Sequence, residues 1–266
     1  MRSMSCITLI VASRFKSSSE RASLTLETLD FDALFLSFPE ELSESLNLYS
    51  VGEISEEEFW NDYITLTGLS TPFASSLKYK LGPIIGKLPS IKHLHDFAIY
   101  CFEDLQHHIQ LRGFTERQLL LEFKSRATRK LYPNEWRILL RGELDARKLL
   151  DQKIADTILE KGMNHENSVI IFAGSAKNLK KRIHSKYDVK VICLENYWKP
   201  PLDVLKTLFA SKGIDKTPDE IVKLCIKQHL KYLDYVLLYD DVDTAHSVWL
   251  EEFKPDKTFK KCKCRV

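Results

Sequence analysis

Glycine is scarce in this chain, with nine in 266 residues. Loops that cradle phosphate need several spaced glycines so that backbone can approach the anion. Here Gly174 stands alone after an apolar run, and neither a Gly-x-Gly-x-x-Gly nor a Gly-x-Ser-x-Gly stretch occurs. Kinase and dinucleotide-dependent dehydrogenase readings therefore fall away. An excess of one charge is also missing: 39 Lys and Arg against 37 Asp and Glu leave a formal +2. That gives no broad field for nucleic acid or an anionic membrane, so any basic site must be local. No window approaches the roughly 20 apolar residues of a membrane span; SVIIFAG (Ser168 to Gly174) and YVLLY (Tyr235 to Tyr239) are strand-sized. The apolar stretch in MRSMSCITLIVASRF is too short for a secretory signal and reads as a buried strand. The six cysteines (Cys6, Cys101, Cys193, Cys225, Cys262, Cys264) are scattered apart from the last two. A chain this long needs no staples, so reduced thiols and a cytoplasmic protein are expected.

What is present is a strand and helix grammar that occurs twice. ITLIVAS (Ile7 to Ser13) is short, β-branched and almost continuously apolar, as in a strand covered on both faces. Ser17, Ser18 or Ser19 can cap a helix to about Leu29, and DALFLSFP (Asp32 to Pro39) is a second strand. The short crossover predicts that these two strands are parallel neighbours. The second half repeats the unit: SVIIFAG, then the helix SAKNLKKRIHSKY, then the strand DVKVICLE (Asp188 to Glu195). Between the units, residues 41–130 read as a mostly helical insertion or cap. Its helices break near Val51 and Gly52, where Ser55 and Glu58 form a capping box. In the same block a stretch is interrupted at Gly82-Pro83, IKHLHDF is a candidate short strand, and AIYCFEDLQHHIQLRGF has helical spacing. Long helices follow over about 135–161, 201–211 and 217–231, and DYVLLYD reads as a strand or a helix end. The fold class expected is α/β, a mainly parallel sheet built from two β-loop-α-β halves. It forms one composite domain over 1–255, with core 5–40 and 130–240 and a basic, disordered tail over 256–266. Ligands in such folds lie at the carboxyl ends of the strands.

Several constellations could carry chemistry. His93 and His95 would share one face of a strand, and His107 and His108 follow Glu103 and Asp104 by one helical turn. Adjacent histidines diverge by about 100° on a helix and acid–imidazole pairs are ordinary there, so no metal site is assigned. Cys262 and Cys264 lack a second ligand pair at zinc spacing and belong to the basic tail. At the strand ends, Arg14, Lys177 and Arg147 could form an anion-attracting pocket with Ser37 and Ser175. A speculative enzyme would use Ser13, Ser37 or Ser175 as nucleophile and Lys177 as base, with Glu40 or Glu41 as a carboxylate.

The stretches ITLIVASRFKSSSERASLTLETLDFDALFLSFPEEL and LDARKLLDQKIADTILEKGMNHENSVIIFAGSAKNLKKRI resemble the TraB/PrgY/GumN proteins of the TIKI superfamily, which also holds erythromycin-esterase-like and ChaN-like members. In that family the first strand runs into Gly-x-x-His, the second ends in Glu, and a helix with an Arg precedes a strand ending in a second Gly-x-x-His. Carried over, the first histidine falls on Phe15, the Glu on Ser37 and the second histidine on Lys177; only the helix arginine is kept, as Arg147. The resemblance implies a metallohydrolase scaffold that has lost its ligands, because Phe, Ser and Lys cannot replace two imidazoles and a carboxylate. The expectation is a non-catalytic protein without cofactor or metal. It would bind a small polar or anionic ligand through Arg14, Ser37, Arg147, Ser175 and Lys177, or a protein partner in a regulatory role. The alternatives are a hydrolase of peptidase or esterase type with a non-standard site, and a protein-interaction module, including a homo-oligomer, built on the helical block.

Overall fold

Five runs rich in Val, Ile, Leu and Phe form one all-parallel sheet. The computed structural model describes residues 5–13, 15–172, 176–194 and 198–253. The first unit of grammar is β1 (Cys6–Val11), α1 (Lys16–Leu26) and β2 (Ala33–Pro39). Helices α2 (Ser43–Ser50), α3 (Glu56–Thr67), α4 (Thr71–Ile85) and α5 (Leu88–Leu94) lead to β3 (Ala98–Glu103). Two long helices follow, α6 (Leu105–Thr128) and α7 (Pro133–Lys161). The second unit is β4 (Asn167–Phe172), α8 (Ala176–Ile183) and β5 (Asp188–Cys193), and the chain continues through α9 (Pro201–Lys212), α10 (Asp219–Leu238) and α11 (Val242–Phe253). An α/β fold with a parallel sheet is thus as the sequence implies. Among the described residues no helix is long and apolar enough to cross a membrane.

The strand order is β3-β2-β4-β1-β5, which corrects the expectation that β1 and β2 are neighbours: β4 lies between them. Each β-loop-α-β unit steps over the first strand of the other, so β1 and β4 pair along their whole length, from Cys6 with Asn167 to Val11 with Phe172. The two crossovers run in opposite directions along the sheet, and right-handed connections then put α1 and α8 on opposite faces. The carboxyl ends of β1 and β4 consequently meet at the topological switch point. The edge strand β5 keeps Asp188 and Lys190 exposed, which discourages pairing with another chain.

Two further expectations are corrected. IKHLHDF is not a strand; most of it lies in α5, and the strand is the next stretch, AIYCFE. Pro83 does not end α4, which continues to Ile85. The capping box is present as expected: the Glu58 N–H donates to Ser55 Oγ and the Ser55 N–H to the Glu58 carboxylate. DYVLLYD is largely the end of α10. Of the cysteines, Cys6, Cys101 and Cys225 are not in disulfides. Cys193 is disulfide-bonded, which corrects the expectation of thiols throughout. Cys262, Cys264 and the rest of the tail lie outside the described residues.

Where the sequence implies one composite domain, the described chain divides into two compact units, 5–108 with 150–194 and 109–149 with 198–253. The helical block is shared between them. The sheet unit buries Leu34, Leu36 and Phe38 of β2 with Ile10 of β1, against Ala22 of α1, Leu46 of α2, Phe59 and Tyr63 of α3 and Ile84 of α4. Phe38 makes edge contacts with Phe59, Trp60 and Tyr63 at centroid distances of 5.5, 6.1 and 5.9 Å, a cluster that fixes α3 on the sheet. The helical unit is built on Trp136 and Leu140 of α7, Leu205 of α9 and Val222 and Ile226 of α10, each fully or almost fully buried. Here Gly142 lets α6 approach α7, since a Cβ at that position would lie 2.6 Å from the Phe114 ring.

Candidate functional site

The switch point lies in the sheet unit. After β1 the chain turns through Ala12 and Ser13; the Ser13 N–H donates to Ser18 Oγ at 2.8 Å and the Phe15 N–H to Ser13 Oγ at 3.3 Å. Three buried serines, Ser13, Ser18 and Ser19, thus knit the start of α1 onto the strand end. Phe15, onto which the resemblance carries the first histidine, is buried. The carboxyl ends of β1, β2 and β4 enclose a cavity of about 40 Å3, which α4 covers with Leu81, Ile84 and Ile85. Its other walls are Ala12, Leu36, Phe38 and Ile171, with Ser13, Ser19 and Ser37 as the polar members.

Ser37 borders this cavity and donates its hydroxyl hydrogen bond to the Glu103 carboxylate at the end of β3. The other Glu103 oxygen lies 2.5 Å from His108 Nδ1, and His108 Nε2 lies 3.1 Å from the Tyr63 hydroxyl. With the carboxylate accepting, Nδ1 carries the proton and Nε2 accepts from the phenol, a tautomer assigned from the network. Ser37, Glu103, His108 and Tyr63 form a continuous chain from the cavity wall into the α3 aromatic cluster, and Glu103, His108 and Tyr63 are all more than nine-tenths buried. Beside it, Asp104 accepts from Lys153 Nζ at 2.5 Å, from His107 Nδ1 at 2.9 Å and from the His107 N–H at 3.0 Å. The lysine hydrogen bond first, and then those from His107, hold the Asp104 carboxyl well below the usual carboxylate range. Burial pushes the nearby Cys101 thiol well up, so it is no nucleophile at neutral pH.

The histidines do not gather as ligands. Glu103 binds His108 and Asp104 binds His107, two separate acid–imidazole pairs. His93 is exposed on α5, and His95, just beyond that helix, packs beside Phe31. Among the described residues no group of three or more His, Cys, Asp or Glu could hold a metal ion. Phe15 is buried and apolar and the Ser37 hydroxyl is bound to the Glu103 carboxylate, so neither offers a metal ligand.

Of the residues singled out from sequence, Ser37 is at the strand-end cavity. Arg14 and Ser175 lie outside the described residues, as does the side chain of Lys177, whose backbone is in the first turn of α8. Arg147 belongs to the helical unit, where its Nε and Nη2 donate to Glu143 at 3.0 and 2.9 Å, and Lys206 Nζ reaches the same oxygen at 2.8 Å. Glu40 and Glu41 are exposed. Sequence reasoning missed Tyr63, and treated Glu103 and His108 only as metal candidates. The available signal was Glu103 itself, a carboxylate at a strand end. Ser37 stands at the end of β2, and the neighbouring strand β3 brings the Glu103 carboxylate to it. No family model, no curated protein and no solved structure matches this chain.

Proposed function

We propose that this chain is a non-catalytic relative of the TraB/PrgY/GumN-like proteins that acts in the cytoplasm by binding a protein partner, in a regulatory role. The observation that carries the reading is the strand-end cavity. About 40 Å3 has room for one or two waters and for no substrate, whereas ligand sites usually span several hundred Å3. Among the described residues its lining is apolar apart from three serines. A metallohydrolase needs donors around an open coordination position; Phe15 and Ser37 supply none.

A protein partner is better supported than a small anion. The Ser37 hydroxyl faces the Glu103 carboxylate, which repels anions, and the Arg147 guanidinium is engaged by Glu143. The hydrolase alternative fares worse, since the Ser37 proton points at a carboxylate, a base too weak to activate an alcohol efficiently. Cys6, Cys101 and Cys225 are outside any disulfide, as in a reducing compartment, whereas the disulfide at Cys193 counts against one.

Metal analysis of protein purified without chelators tests the reading. Zinc, manganese and iron are expected well below one equivalent, and hydrolysis of p-nitrophenyl acetate should be the same for the wild type and Ser37→Ala. One equivalent of metal that is lost on replacing Glu103 or His108, or an esterase activity abolished by Ser37→Ala, would overturn it.

A further inference from the structure

The exposed face of α10 carries Lys223, Lys227 and Lys231, one turn apart, opposite a buried stripe of Val222, Cys225, Ile226, His229 and Tyr232. Like charges at i, i+4 repel along a helix, so this row weakens α10 and is not explained by its stability. None of the three lysines is in an ion pair among the described residues. Lys227 and Lys231 form one wall of an open groove of about 420 Å3 in the helical unit. Arg126 of α6 also lines it, with Leu131 and Leu230 as apolar members, and Asp234, paired with Arg126, is its single acid among the described residues. The chain as a whole is nearly neutral, so this is a local concentration of positive charge beside two half-buried leucines.

Deepening the binding role proposed above and resting on it, we infer that this groove docks an acidic amphipathic helix of a partner protein. Carboxylates one turn apart on such a helix recur about every 6 Å along its axis, which is the spacing of the lysine row. An apolar residue between them seats on Leu131 and Leu230. This is the helix-in-groove mode of recognition, with charge complementarity setting orientation and on-rate. A nucleic-acid strand is a poorer fit: no aromatic side chain lines the groove to stack a base, and Asp234 would face its phosphates.

The test uses the full chain and a fluorescein-labelled helical peptide with Glu at every fourth position and Leu three residues after each, followed by anisotropy. The peptide should bind, more weakly as salt rises. The double variant K227E/K231E should lose about tenfold or more in affinity, and D234N should gain several-fold by freeing Arg126. The variant K227Q/K231Q, which removes the repulsion along α10 without adding a new like-charge pair, should also lose affinity, and unchanged hydrogen exchange of the α10 peptides in both variants separates lost binding from lost folding. No binding, equal binding by K227E/K231E, or tighter binding of a single-stranded oligonucleotide or phosphatidylserine vesicles through the same lysines would overturn the inference. Metal and esterase measurements on the same preparation keep the two failures apart. A groove that does not bind, in a metal-free inert protein, removes only the docking site, whereas bound metal removes the non-catalytic reading whatever the peptide does.

Discussion

Replacing His108 with Ala is expected to destabilise the sheet unit by about 3 kcal/mol, the size typical of breaking a buried charge-assisted pair. The imidazole takes part in two hydrogen bonds at once, donating to Glu103 at 2.5 Å and accepting from Tyr63 at 3.1 Å. Its removal takes a donor from a carboxylate that is only 11% exposed and an acceptor from a phenol that is fully buried. Water reaches neither in the closed packing around Phe38, Phe59 and Trp60, so both groups meet the desolvation cost of a lost partner. Tyr63→Phe removes only the outer bond and should cost about 1 kcal/mol. Because the chain has two compact units, a single unfolding midpoint would mix them. Amide hydrogen exchange of the β2 and β3 peptides reads the right unit. There, a loss of 3 kcal/mol appears as roughly a hundredfold faster exchange, at about 1.4 kcal/mol per tenfold. A double-mutant cycle with Glu103→Gln should return a coupling of about 1–3 kcal/mol. Unchanged exchange in both peptides would show that the relay does not hold the strand ends together.

That relay marks the boundary of what the sequence could convey. The four strands β1, β2, β4 and β5 were legible because each is a short apolar run bounded by polar residues, rich in β-branched residues in β1, β4 and β5 and in Leu and Phe in β2, which a helix of useful length is not. Strand β3 was hidden because AIYCFE runs without a break into LQHHIQL, and the combined stretch has helical spacing. The overlooked signal was Asp104, whose carboxylate accepts the His107 N–H, a side-chain cap that starts α6 just past the strand. Strand adjacency was misread for a different reason. A helix the length of α1 spans the roughly 10 Å needed to skip one strand, so a short crossover does not specify a neighbour. Only the pairing of the two equivalent strands β1 and β4 decides it. Ser37 was legible as a residue at a strand end. Its partners were not, because Glu103, His108 and Tyr63 come from three elements that no local pattern connects. The lysine row on α10 is the opposite case, since its i, i+4 spacing is fully local, and the groove beside it needed the fold.

Lys206→Met is expected to weaken the helical unit by about 2–3 kcal/mol at pH 7 and to reverse the sign of its pH dependence. Glu143 is nearly fully buried, and Lys206 and Arg147 share one of its oxygens. Burial alone would raise its pKa; the two cations outweigh burial, and the carboxyl stays below its ordinary value. A group whose folded pKa is lower than its unfolded one adds stability above the unfolded value, near 4.5 for Glu, and that stability is lost as pH falls through the folded pKa. The wild-type unit should therefore lose stability on acidification below about pH 4.5. In Lys206→Met the strongest counter-charge is gone, and the remaining arginine is more than a third exposed and screened by solvent. Burial then dominates, the Glu143 pKa rises above its unfolded value, and the variant should gain stability as pH falls from 7 towards 5. Adding Glu143→Gln removes the charge that the methionine strands, so the double variant should recover much of the loss and show little dependence on pH in this range. Urea unfolding monitored by hydrogen exchange of the α7 and α9 peptides at pH 7 and pH 5 distinguishes the cases. An equal loss in Lys206→Met at both pH values would mean that the lysine acts through its aliphatic stem and that the Glu143 cluster contributes nothing electrostatic to this unit.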